Sequence, residues 1–117
     1  MNRVIVITGA SSGIGLAMAE RFHKSGDIVY GVSRHYPKTK YDFKYLLCDL
    51  TKEEEIKGLV SKIKEESGHA DILINCAGMG ISGAVEETPT EQCVKIFESN
   101  VKSVFMLTRE MIPLLRM

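Results

Sequence analysis

The chain has 117 residues, 44% of them hydrophobic and 26% charged, a composition that fits one soluble globular domain and excludes disordered and fibrous chains. Fifteen Lys and Arg balance fifteen Asp and Glu, so no net field draws the molecule to nucleic acid or to an anionic membrane, and any anion site must be local. Cys48, Cys76 and Cys93 lack a Cys-x-x-Cys or disulfide-framework spacing and read as reduced thiols, while the apolar run Val4 to Ile7 is too short for a secretory core or a membrane span, so a cytoplasmic protein is expected.

Val4-Ile5-Val6-Ile7 is a continuous β-branched run, which suits a parallel strand buried on both faces. Ile14, Ala17, Met18 and Phe22 follow at helical spacing, with Gly26 placed to end the helix. Ile28 to Val32 and Phe43 to Leu47 read as the second and third strands, separated by a polar stretch holding Pro37. Thr51 and Glu54 have the spacing of a capping box, and Ile56, Leu59, Val60 and Ile63 then repeat at i, i+3, i+4, i+7, the clearest helix in the chain. Ile72-Leu73-Ile74 predicts a short fourth strand, followed by a loop through Gly78, Gly80 and Gly83. Thr88 and Glu91, with Pro89 at the first helical position, predict a second capping box opening a helical region that runs to the C-terminus. There Val101, Val104, Phe105, Thr108 and Ile112 form one apolar face, which Leu107 and Leu114 widen beyond a single stripe. Strands alternating with helices predict a parallel sheet with helices on both faces. The reading is one α/β domain over residues 1–117, Rossmann-like and doubly wound, truncated after about four strands relative to the two βαβαβ halves of that fold.

Between the first strand and its helix lies Thr8-Gly9-Ala10-Ser11-Ser12-Gly13-Ile14-Gly15. Gly9 permits the tight strand-to-helix turn, while Gly13 and Gly15 let a pyrophosphate approach the helix N-terminus, where free N–H groups and the helix dipole favour negative charge. A plain glycine-rich βα turn is the bland reading, and the position of three glycines after a buried strand and at a helix start favours phosphate binding. A Walker loop would need Lys and Ser or Thr after the last glycine, where Leu16 and Ala17 stand.

The spacing Thr-Gly-x-x-x-Gly-x-Gly resembles the signature of the short-chain dehydrogenase/reductase family. Asp49-Leu50-Thr51-Lys52 is similar to the family's adenine-binding motif, and Gly68 to Gly78, ending Asn75-Cys76-Ala77-Gly78, is similar to its fourth-strand motif with Cys76 in place of a second Asn. The resemblance covers essentially the whole chain. It implies cofactor contacts from Gly9, Ser11, Ser12, Gly13, Ile14 and Gly15, from Asp49 and Leu50, and from Asn75, Ala77 and Gly78. At the end of the second strand, an acidic residue serves the ribose 2′-hydroxyl of NAD and an Arg suits a 2′-phosphate. Ser33-Arg34 stands there, which points to NADP(H).

The family's chemistry uses a Tyr and Lys as proton carrier, a Ser that positions the carbonyl, and an Asn in the relay. Only the Asn has a counterpart, Asn100, in the last helical region. Tyr36-Pro37-Lys38-Thr39-Lys40 has the Tyr-x-x-x-Lys spacing but follows a strand at the adenine end and interrupts any helix with Pro37, so it is rejected, and the active Ser and Tyr-x-x-x-Lys are expected after Met117. His23, His35 and His69 have no metal spacing, and no metal is expected. The expected protein is an NADP(H)-dependent oxidoreductase of a small carbonyl or alcohol, with this chain its cofactor-binding half and Met79 to Val85 lining part of the substrate pocket. The resemblance also implies a homodimer or homotetramer. The rival expectation is a truncated nucleotide-binding module without turnover.

Overall fold

β-Branched runs with no polar face to show water pair on both sides, and here they form the centre of a parallel sheet. The computed structural model describes residues 2–78 and 83–117. Its elements are β1 (Val4–Thr8), α1 (Gly13–Lys24), β2 (Ile28–Ser33), β3 (Lys44–Leu47), α2 (Glu53–Ser67), β4 (Ile72–Ile74), a 3-10 turn (Val85–Glu87), α3 (Thr90–Phe97), a π-helical turn (Glu98–Lys102) and α4 (Ser103–Leu115). The strands lie in the order β3-β2-β1-β4, all parallel, with Val6 of β1 opposite Tyr30 of β2 and Leu73 of β4.

Every residue of β1 is buried, and alternate side chains enter different cores. Val4 and Val6 pack with Ile56, Leu59 and Ile63 of α2 and with Met106, Leu107, Met111 and Leu114 of α4. Ile5 and Ile7 pack on the opposite face with Ala19 of α1, Val29 and Phe43. The sheet is thus covered on both faces, the three-layer, Rossmann-like arrangement the alternating elements predict.

Several local expectations give way to tertiary context. In α1 the buried positions are Gly15 and Ala19, with Met18 and Phe22 half-buried, while Ile14 is 75% exposed and Ala17 also faces outward. Neither capping box forms. Lys52 is the N-cap of α2, and Thr51 instead donates its hydroxyl to Asp49 Oδ1 at 2.7 Å. Pro89 is the N-cap of α3, and the Thr88 hydroxyl reaches back to the Ala84 carbonyl at 3.0 Å. Along the last helix the apolar face anticipated at Val101, Phe105 and Ile112 is exposed, and Met106, Leu107, Met111 and Leu114 go to the core.

Two aspartates fasten the start of the sheet. Asp27, just before β2, accepts the Arg3 backbone N–H and Nε at 3.2 Å through Oδ1 and Nη2 at 2.9 Å through Oδ2. Asp71, just before β4, accepts the Val4 N–H at 2.7 Å, and His69 Nε2 lies 3.2 Å from the same oxygen. The Arg3 hydrogen bonds hold the Asp27 carboxyl below its usual pKa, and the Val4 N–H does the same for Asp71. Carboxylates with lowered folded pKa values contribute stability that is present above the unfolded value of about 3.9 and is lost as pH falls through the lower folded values. Urea midpoints should therefore decline on acidification below about pH 4. Asp27→Asn should lower the midpoint at neutral pH and flatten that decline, and an unchanged pH slope in the variant would contradict this role for Asp27.

Candidate functional site

The chain leaves β1 at Thr8 and turns at Gly9, whose φ of 65° lies in the left-handed region. A Cβ on Gly9 would stand 2.8 Å from backbone atoms of Cys76 and Ala77, and one on Gly15 would stand 2.2 Å from the Gly9 carbonyl oxygen. The end of β1, the first turn of α1 and the residues after β4 therefore pack backbone against backbone. Thr8, 1% exposed, joins them: its Oγ1 accepts the N–H groups of Cys76 and Ala77, both at 3.0 Å.

This close packing brings the start of α1 to the floor of a cavity of about 870 Å³. Ser12 is the N-cap, but its side chain makes no capping hydrogen bond, and no acidic residue lies in the first turn. By contrast α2 carries Glu53, Glu54 and Glu55 in its first turn. The positive end of the α1 dipole thus lacks an internal carboxylate and suits an external anion.

Four segments anticipated from the sequence meet at this cavity. Gly9, Ser11, Ser12, Ile14 and Gly15 line it from the glycine loop, which explains why Ile14 turns away from the core. Ser33 and Arg34 line it from the end of β2, Asp49 and Leu50 from the segment after β3, and Ala77 and Gly78 from the segment after β4. Gly13 and Asn75 do not line it, and Asn75 is exposed beside it in sequence only. Asn100 lies behind Gly78, where a Cβ would come 3.0 Å from its Oδ1. The π-helical turn carries Asn100, and its neighbours Ser99 and Ser103 reach the cavity wall. Such turns inside a helix often mark functional positions. The expected wall from Met79 to Val85 lies outside the described residues over 79–82, and Val85 is exposed.

Sequence reasoning did not assign Thr8, although the signature contains it, nor His35, Cys48 or Thr51, which also line the cavity or support it. Lys95 and Glu98 reach the wall from α3 and the π-turn, and nothing in their spacing announces it.

Arg34 is exposed, and its charge crosses the cavity to Asp49. Asp49 is held below its usual pKa first by the Thr51 hydroxyl and N–H, at 2.7 and 3.0 Å, and further by Arg34. Burial pushes the Cys48 thiol up to about 11, so it stays protonated and unreactive at neutral pH. Among the described residues no group of three His, Cys, Asp or Glu could hold a metal ion. Tyr36 sits in the irregular segment after β2, ring-stacked 6.5 Å from Tyr41, and shares no helix face with Lys40. Tyr36 and Lys40 thus lack the shared helix face that the Tyr-x-x-x-Lys chemistry requires.

A family profile described as short chain dehydrogenase matches residues 3–117. A 3-ketodihydrosphingosine reductase of Bacteroides thetaiotaomicron is 36% identical over 114 residues, covering 97% of this chain and 42% of that protein. The ligand-free aldohexose dehydrogenase of Thermoplasma acidophilum superposes with a TM-score of 0.92 at 31% identity, over 97% of this chain and 44% of its own. An actinorhodin polyketide ketoreductase with NADPH (TM-score 0.84, 30% identity, 95% and 46% covered) and an NADH-dependent reductase complexed with NAD (0.86, 30%, 98% and 52%) are also similar. The chain spans about half the length of these relatives.

The Thr8 hydroxyl provides a check on the packing beneath the cavity. Thr8→Val keeps the shape but leaves two N–H groups without their acceptor, and should destabilise the protein by about 1–3 kcal/mol. Thr8→Ser should restore most of that loss in denaturant titrations with an unchanged m-value. A Thr8→Val variant as stable as wild type would mean that these bonds do not hold the loop to β4.

Proposed function

This chain belongs to the short chain dehydrogenase family, and from that premise we propose that it is the cofactor-binding half of an oxidoreductase moving hydride between NADP(H) and a carbonyl or alcohol. The observation that carries the choice of nucleotide is Ser33-Arg34 on the cavity wall at the end of β2. A hydroxyl and a guanidinium stand where a carboxylate would serve NAD, and a carboxylate there would repel a 2′-phosphate. The similar structures include both an NADPH and an NAD complex, so the preference rests on these two residues.

The geometry of the loop fits a dinucleotide. The backbone approach at Gly9 and Gly15 leaves no room for side chains, and a Cβ at Gly13 would meet open space. In this reading Gly9, Ser11, Ser12, Gly13, Ile14 and Gly15 hold the pyrophosphate, Ser33 and Arg34 the 2′-phosphate, and Asp49 and Leu50 the adenine. Ala77 and Gly78 flank the ribose. The nicotinamide supplies the hydride donor or acceptor when bound. Asn100, set against Gly78 by the π-turn, orders a water for proton transfer, and the serine and Tyr-x-x-x-Lys that complete the family's chemistry would come from the share of the relatives' length that this chain does not span.

Val94, Phe97, Val101, Phe105 and Ile112 form an exposed apolar stripe along α3 and α4, which supports a homodimer or homotetramer closed over that face. The three cysteines are free, in keeping with a reducing, cytoplasmic setting. No helix among the described residues is long and apolar enough to cross a membrane.

In nucleotide titrations the intact protein should bind NADPH more tightly than NADH. Arg34→Ala should remove most of that preference, a loss of about 1–3 kcal/mol for a charge-assisted contact. Equal or tighter binding of NADH by the wild type would overturn the NADP(H) reading.

A further inference from the structure

The segment that presents Arg34 is anchored by a residue outside the cavity wall. The Ser33 hydroxyl donates to the His35 carbonyl, and the His35 N–H reaches back to Ser33 Oγ at 3.3 Å, so one side chain ties both backbone groups of the residue following Arg34. With its proton directed to His35, Ser33 Oγ accepts from the Tyr45 hydroxyl 2.5 Å away. The Ser11 side chain of the glycine loop lies near that same phenol and, with Ser33, opposes the rise in its pKa that burial causes. The Tyr45 phenol on β3 is therefore tied through Ser33 to the turn at the end of β2.

Independent packing evidence shows that the fold makes room for this phenol. Tyr45 pairs with Gly31 across β2 and β3, and a Cβ on Gly31 would stand 2.7 and 2.8 Å from Tyr45 Cε2 and Cδ2. Glycine inside a buried strand weakens it and marks a close approach. Here the missing side chain lets the Tyr45 ring lie across β2. Tyr41, Phe43 and Tyr36, with ring centroids 5.3, 6.1 and 5.7 Å away, hold it there.

We propose that Tyr45 is a positioning residue for nucleotide choice, its hydroxyl locking Ser33 and thereby the turn that aims Arg34 at a 2′-phosphate. The inference rests on the NADP(H) reading of Ser33-Arg34. Tyr45 lies off the cavity wall and acts through Ser33, which without the phenol keeps only its two bonds to His35 and is held less firmly. Buried tyrosine hydroxyls usually find a hydrogen-bond partner, and the Tyr45–Ser33 bond is formed without a nucleotide in the cavity.

Dissociation constants for NADPH and NADH, measured on the intact protein as wild type, Tyr45→Phe, Arg34→Ala and the double variant, test this. Tyr45→Phe should weaken NADPH by about tenfold, the effect of one lost hydrogen bond at a charged site, while NADH changes far less. Because Tyr45 acts through Arg34, Arg34→Ala should cost less in the Tyr45→Phe background than in wild type. Equal weakening of both nucleotides, an unchanged ratio, or strictly additive variants would overturn the role, since a merely structural tyrosine behaves in those ways. If wild type shows no NADPH preference, the nucleotide reading itself falls and takes this role with it. If wild type prefers NADPH and Arg34→Ala abolishes the preference while Tyr45→Phe does not, only the role of Tyr45 falls. Should Tyr45→Phe fail to fold, Tyr45→Met, which keeps an apolar side chain of similar reach without the hydroxyl, is judged by the same ratio.

Discussion

Three pieces of main chain meet at Gly9 with no side chain between them. The end of β1, the first turn of α1 and the segment after β4 come so close that a single added carbon at Gly9 or Gly15 would fall 2.8 or 2.2 Å from neighbouring backbone. Thr8 stabilises the junction from below by accepting two N–H groups from Cys76 and Ala77. These groups would otherwise end a parallel strand unpaired, at a cost comparable to a lost hydrogen bond each. The cavity, the direction of α1 and the position of Gly78 all follow from this contact. A bulkier loop would hold α1 away from the sheet, and its free N–H groups would not converge on a ligand.

The rest of the fold supplies what this junction lacks by itself. β1 is sealed by alternating side chains into two cores, one under α2 and α4 and one under α1, so the strand that carries Thr8 and Gly9 is held from both sides. At its far end Asp27 and Asp71 satisfy the Arg3 and Val4 N–H groups before the ladder begins. Electrostatics then differentiates the helices. α2 fills its positive end with three glutamates, whereas α1 keeps no acidic residue in its first turn. The positive end of α1 is therefore left open to an external anion while that of α2 is not, although both helices follow strands of the same sheet.

Much of this was legible in the sequence because it is encoded locally. Runs of three to five residues located all four strands to within a residue, and the i, i+3, i+4, i+7 pattern of Ile56, Leu59, Val60 and Ile63 gave the core-facing side of α2, with Val60 partly buried. The glycine spacing located the turn and the cavity floor. What escaped depends on partners far away in the chain. Thr51 and Thr88 have capping-box spacing, yet an aspartate and a carbonyl compete for their hydroxyls. Ile14 has core spacing but opens onto the cavity. The outward face of α4 could not be told from the inward one, since both are apolar and only the packing of α2 decides between them. Tyr45 became visible only when β2 and β3 paired and set its ring over Gly31. The π-turn that sets Asn100 against Gly78 has no local signature in the sequence.

The central claim is that one backbone junction, at Gly9 and Gly15, aims a helix N-terminus and the Ser33-Arg34 turn at the two phosphate-bearing parts of a single dinucleotide. A crystal structure of the intact protein with NADPH tests it most directly. The account predicts the pyrophosphate against the backbone N–H groups at the start of α1 and the 2′-phosphate within hydrogen-bonding distance of Arg34 and Ser33. A nucleotide bound with its phosphates away from the Gly9 to Gly15 loop, or with its adenosine end turned from Arg34, would contradict it.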